Sequence, residues 1–113
     1  MIDSIPELRT IFKAQGIELI PEESTDSGVK YPCVTYRETE NSDNKIGDSF
    51  GYSNIAFSIQ IWGYNMAEIT SLCRKTDKIM KGCRFERHMS DMQTYNGLHR
   101  KILGYRKTVK ENY

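Results

Sequence analysis

The sequence predicts an α+β fold: a mainly antiparallel sheet with two helices packed on one face and a long β-hairpin loop. Three observations carry this. Ile55, Phe57, Ile59 and Ile61 alternate with Ala56, Ser58 and Gln60, the period of two that belongs to a half-buried strand with one apolar and one polar face. Directly afterwards Met66, Ile69, Leu72, Cys73, Thr76, Ile79 and Met80 recur at helical spacing. Further on, Asn96-Gly97 separates two strand-like runs, and this dipeptide suits a tight hairpin.

Taken in order, residues 4–16 predict the first helix. Ser4 can cap it with Glu7 at the capping-box position. Pro6 is tolerated in the first turn, Ile5, Leu8, Ile11 and Phe12 share a face, and Gly16 suits a left-handed end. Ile17 to Ile20 begin a short strand that Pro21 stops, and a polar loop follows. A second strand starts near Tyr31, with Pro32 implying an edge position or a strand end. The polar stretch from Asn41 to Asn54 then predicts the tip of the long hairpin. Asn65 and Glu68 can cap the second helix, whose outward side carries Arg74, Lys75, Lys78 and Lys81 and which Gly82 ends. In the last strand Leu103, Tyr105 and Val109 alternate with Arg106 and Thr108, which places the first set on the core side. Trp62 and Tyr64, at the strand–helix junction, read as packing residues, with interface anchors as the alternative.

The chain, residues 1–113, is expected to form a single domain, with 27% charged and 38% hydrophobic residues, proportions of a globular protein. No apolar run approaches the roughly 20 residues that span a bilayer, and the first residues have neither the basic nor the apolar region of a signal peptide. Three cysteines, an odd number without framework spacing, suggest free thiols in a reducing compartment.

Signals for chemistry are weak. Cys33, Cys73, Cys83, His88 and His99 show no metal-ligand spacing. Cys73 falls on the apolar helical stripe, as a small core residue would, and Cys33 and Cys83 flank strands as packing residues. No nucleophile elbow, phosphate loop or dinucleotide fingerprint is present. The expectation is therefore a protein that is not an enzyme and has no cofactor or metal. Arg84, Arg87, His88, Arg100, Lys101, Tyr105, Arg106 and Lys107 interleave cations with aromatics near the end of the chain, a pattern that can bind single-stranded nucleic acid by charge and stacking.

Charge is unevenly spread. Residues 1–60 hold 5 Lys/Arg and 10 Asp/Glu, whereas residues 61–113 hold 11 and 5. Such asymmetry fits a nucleic-acid-binding half, or a subunit whose one side meets the opposite side of its neighbour. It also fits two ordinary solvated faces.

The order of these signals resembles the tail terminator (tail completion) proteins of long-tailed bacteriophages. The resemblance covers roughly residues 1–109. It rests on the "YPCVTY" strand at Tyr31–Tyr36, the strand ending "IQIWG" at Gly63 directly before a helix, the "GCRFER" segment at Gly82–Arg87, and the final basic–aromatic strand "GLHRKILGYRKTV". It implies a structural virion protein at the tail-neck junction, assembled in the bacterial host cytoplasm. There such a protein caps the tail tube as a ring, commonly a hexamer, ends tail polymerisation and forms the head-tail joining surface. The implied partners are further copies of itself, the tail tube protein and head or neck connector proteins, with no membrane and no specific nucleic acid. On this reading Glu38, Glu40, Asp43 and Asp48 of one subunit neighbour Arg74, Lys78, Arg84 and Arg87 of the next. The alternatives are a head-completion or neck connector protein, or a small nucleic-acid-binding domain.

Overall fold

A computed structural model describes residues 5–22, 30–46 and 50–112. Its elements are α1 (Ile5–Ala14), β1 (Leu19–Pro21), β2 (Cys33–Ile46), β3 (Phe50–Gly63), α2 (Met66–Gly82), β4 (Glu86–Tyr95) and β5 (Leu98–Asn112). The five strands form one sheet in the order β1-β2-β3-β5-β4. β1 runs parallel to β2, and the other neighbours are antiparallel. The predicted α+β class, the mainly antiparallel sheet and the pair of helices on one face all stand.

Both helices form where their spacing and ends dictate. Ser4, the expected cap of α1, lies outside the described residues. At the other end of α1, Gly16 has φ 78°, and Ile17 N–H donates to the Phe12 carbonyl at 2.9 Å. That left-handed turn satisfies a carbonyl the helix would leave unpaired. Asn65 caps α2 as predicted, its Oδ1 accepting from the Ala67 and Glu68 amides at 2.9 and 3.3 Å. α2 runs through Gly82, and the left-handed residue beyond it is Arg84, at φ 67°.

The core lies between the helices and one face of the sheet. Ile55, Phe57, Ile59 and Ile61 of β3 share it with Val34, Leu103 and Tyr105, and with Leu8, Phe12, Ile69, Ile79 and Met80 of the helices. Each such side chain contributes roughly 1.5–3 kcal/mol of burial free energy. Met66 departs from the predicted stripe: it lies in the first turn of α2 and is 45% exposed. Tyr105 and Leu103 are fully buried, as their alternation predicts.

Two sheet features differ from expectation. Most of the stretch read as the tip of the hairpin is paired strand, and residues 47–49 lie outside the described residues. β2 and β3 continue in register from Asn41↔Ile55 to Ile46↔Phe50, with a bulge between Glu38 and Glu40. β5 follows alongside, since Lys107 to Asn112 pair with Ile55 to Phe50 after β4 has begun at Glu86↔Arg106. The result is a three-stranded arm of six residue pairs, about 20 Å long at roughly 3.3 Å per residue, on a molecule measuring 53 × 25 × 24 Å. At the base of the arm Ile55 and Val109 still join the core, and backbone pairing on both sides of β3 runs on through the rest of it.

The second difference concerns the polar face of β3. Ser58 and Gln60 are buried there, not solvated, at 7% and 1% exposure. β3 is the central strand, so side chains of both β2 and β5 stand beside these residues on the same face. The buried polar atoms satisfy one another: Trp62 Nε1 donates to Thr35 Oγ1 (3.0 Å), Thr35 Oγ1 to Gln60 Oε1 (2.6 Å), and Gln60 Nε2 to Ser58 Oγ (2.6 Å). Such a chain avoids the penalty of an unpaired buried polar group.

Candidate functional site

Strand order converts the charge asymmetry of the sequence into a charge polarity across the sheet. β1 and β2 lie on one side and β5 and β4 on the other, with β3 between them carrying no charged residue. The described residues 17–22 and 30–46, which contain β1 and β2, hold five Asp/Glu and three Lys/Arg, and α1, which packs on β1, adds Glu7, Arg9 and Lys13. Residues 66–112, which contain α2, β4 and β5, hold five and eleven. α2 packs on β3, β5 and β4, so its cations add to the basic side.

The predicted interface residues fall on these two sides, with differing accessibility. Glu40 is exposed on β2; Glu38 is half-buried and accepts from Asn41 Nδ2 at 3.4 Å. Asp43 lies on β2 opposite Ser53, and Asp48 lies outside the described residues. Arg74 and Lys78 are exposed on α2, and Arg84 is exposed in the turn after it. Arg87 is different. Its Nη1 donates to Asp77 Oδ2 at 2.7 Å within the same chain.

That ion pair belongs to a clasp the sequence reading missed. Tyr105 on β5 is fully buried and donates from its hydroxyl to Asp77 Oδ1 at 2.5 Å. One carboxylate on α2 thus holds β5 through a phenol and β4 through a guanidinium. Burial, followed by the hydrogen bond to Asp77 and its charge, pushes the Tyr105 phenol far above its ordinary range. A second link joins the end of α2 to β5: Lys107 Nζ donates to the Cys83 carbonyl at 3.0 Å and lies 4.7 Å from the Phe85 ring centre. A cation there complements the helix C-terminus.

On the opposite face Arg100 lies over Trp62, 4.8 Å from the ring centre. Its Nη2 is 3.4 Å from Glu22 Oε1, while Glu22 Oε2 is 3.4 Å from Arg37 Nε. His88, at the bulge between Arg87 and Met89, lies against Gly104. A Cβ at Gly104 would meet Met89 Cβ at 3.1 Å and the His88 ring at 3.2 Å.

These contacts bear directly on the basic–aromatic run. Tyr105 is buried and cannot stack on a base; Arg87, Arg100 and Lys107 already hold partners within the chain. Arg84 and Arg106 are exposed as Arg87 is, and Lys101 is half-buried. The stacking platform that single-strand binding requires is therefore not assembled from these residues.

The thiols are not activated. Cys33 is buried, and Cys73 and Cys83 are half-buried against the core. Burial pushes all three thiols upward; Lys101 and Arg87 partly offset this at Cys73, and Lys107 does so at Cys83. A raised thiol holds less of the nucleophilic thiolate at neutral pH. Among the described residues no three His, Cys, Asp or Glu side chains gather as a metal site. No helix among them is long and apolar enough to cross a membrane. Two open concavities, of about 590 Å³ beside Arg9, Lys13 and Glu18 and about 520 Å³ beside Thr70, Arg74 and Lys75, bring no nucleophile against a base.

Among the residues whose side chains are described, the exposed aromatics Tyr31, Tyr64 and Tyr95 lie at the end of the sheet away from the arm. Of the two junction aromatics whose place the sequence left open, Tyr64 is 61% exposed, against the packing reading, and Trp62 packs under Arg100. Tyr31 meets Tyr64 edge-on at 5.6 Å, and Tyr95 beside the Asn96-Gly97 turn is 80% exposed. No protein-family model matches the chain, and no curated protein matches it.

Proposed function

We propose that this chain is a structural virion protein that caps a phage tail tube as a ring, ends tube polymerisation and forms the surface that joins the head. The observation that carries the reading is the uneven charge across the sheet: cations gather on the side of α2, β4 and β5, the β1–β2 side carries a slight acidic excess, and an uncharged central strand lies between them. A subunit with two unlike, complementary sides suits head-to-tail contacts, and such contacts close into rings when the rotation between copies allows it. The projecting arm and the exposed aromatic end add surfaces suited to contact, placed at opposite ends of the long axis. The sequence resemblance set out above points to the same role.

Deleting the gene from the phage that encodes it, and imaging the lysate by electron microscopy, tests the reading. Overlong or ragged tails beside separate DNA-filled heads are expected. Tails of normal length beside heads that have lost DNA would reassign the protein to head completion or the neck connector, and intact infectious particles would refute both roles.

A further inference from the structure

We infer that the outer face of α2 grips the phosphate backbone of double-stranded DNA without reading its sequence. This grip is separate from the capping role and does not depend on how copies of the chain meet.

From Thr70 to Lys81 every exposed residue of α2 is a hydroxyl or a cation: Thr70, Ser71, Arg74, Lys75, Lys78 and Lys81. Arg84, also exposed, continues the row past the end of the helix. None of these cations has an acidic partner among the described residues. Asp77, the one acid in that stretch, is turned to Tyr105 and Arg87. On an ordinary solvated helix, acids four residues earlier offset such cations. Here Lys78 has Arg74 in that place and Lys75 has Ser71. The like charges repel, and the helix dipole accounts for Lys81 alone, in the last turn.

The backbone at Arg84 points the same way. Phe85 N–H donates to the Met80 carbonyl and Arg84 N–H to the Lys81 carbonyl, both at 2.9 Å, which closes α2 in a Schellman turn. The left-handed place in that turn is usually glycine, and Arg84 holds it at φ 67°. A side chain at this φ strains the backbone. The fold bears that strain and keeps a cation at the end of the row; strain of this kind collects at functional positions.

Hydroxyls and cations are the side chains that hold phosphate oxygens. Arg74 to Lys81 spans about 10 Å at roughly 1.5 Å per residue, about three steps of 3.4 Å along one strand of a duplex. The surface beside Thr70, Ser71, Arg74 and Lys75 is concave, with an open volume of about 520 Å³ that lets a rounded backbone approach. Other occupants fit less well. A protein partner needs an apolar centre and a membrane-surface helix an apolar face, yet the stretch exposes no apolar residue. A single strand needs aromatic platforms, and none stands on it. The row has no Asn, Gln or free acid to read adenine or cytosine, so the grip is independent of sequence.

Fluorescence anisotropy of the full chain with two unrelated DNA duplexes, from about 50 to 200 mM salt, tests this. Both duplexes should bind alike. The log of affinity should fall against the log of salt with a slope of about −4.5, about −0.9 for each cation, a roughly 500-fold loss over that range. R74A/K78A, checked for native circular dichroism, should reduce the slope by about 2. R84G should reduce it by about 1 while its melting temperature holds or rises, because glycine relieves the left-handed strain; a merely structural Arg84 would leave binding unchanged. No binding at the lowest salt, an unchanged slope in R74A/K78A, or an R84G chain that binds like the native one would overturn the grip. Vesicles of phosphatidylserine, or polyglutamate, bound as tightly as the duplexes would overturn its assignment to DNA.

Discussion

Replacing Asp77 with alanine should be the most damaging single change on the surface of α2. The side chain is partly exposed, yet it accepts the hydrogen bond of a hydroxyl that the fold has removed from water. Leaving a buried donor unpaired costs about 1–3 kcal/mol. Loss of the Arg87 ion pair, whose guanidinium is 43% exposed, adds about 0–1 kcal/mol. The expected destabilisation is about 2–3 kcal/mol, a melting temperature lower by roughly 8–12 °C for a chain of this size. Tyr105→Phe should cost about 1.5 kcal/mol, because Asp77 keeps Arg87 and water. The two changes should not add. Urea unfolding of both single variants and the double variant should give a coupling of about 1–2 kcal/mol. Additivity within about 0.3 kcal/mol would show that the carboxylate does not hold the phenol, and the clasp would have no energetic content.

Three further outcomes follow from the same structure. Gly104→Ala should cost about 1–3 kcal/mol in urea unfolding, because the new methyl meets the Met89 Cβ at 3.1 Å on a strand that cannot yield freely; a loss under about 0.5 kcal/mol would mean that the bulge moves aside. Lys107→Met keeps an apolar stem over Phe85 but drops the bond to the Cys83 carbonyl, and should cost about 1 kcal/mol by thermal melting. Stability should also fall in alkali. The thiols and the Tyr105 phenol are raised in the folded state, so their contribution is complete below the unfolded values of roughly 8.5 and 10 and is lost as pH rises above them. Spectrophotometric titration should show at least one phenol ionising only as the chain unfolds; smooth reversible titration of all seven would contradict the buried clasp.

The parts of the fold legible in the sequence were those with a covered face. The alternation along β3 and the stripe along α2 exist because each element packs against the other, and Asn96-Gly97 is visible because both residues take positive φ, 51° and 82°. The arm was not legible: Asn41, Ser42, Asn44 and Asn54 look like a loop, and the backbone pairing on both sides of β3 that orders them leaves no apolar period. The three-residue parallel pairing of β1 likewise leaves almost no pattern. The clasp had one overlooked signal. Asp77 falls on the buried side of α2, one residue after buried Thr76 and three before buried Met80, where an acid implies a specific partner. Its presence also explains why Arg87, expected at the subunit contact, is engaged within the chain. The charge asymmetry could be counted in the sequence, but only the strand order gathered the cations on one side.

The capping role is tested most directly by locating the protein in the particle. A cryo-electron-microscopy reconstruction of the tail-neck junction from the encoding phage should resolve copies of this chain as a closed ring on the head-proximal end of the tube. Density for this chain elsewhere in the particle, or a purified virion without it, would contradict the account.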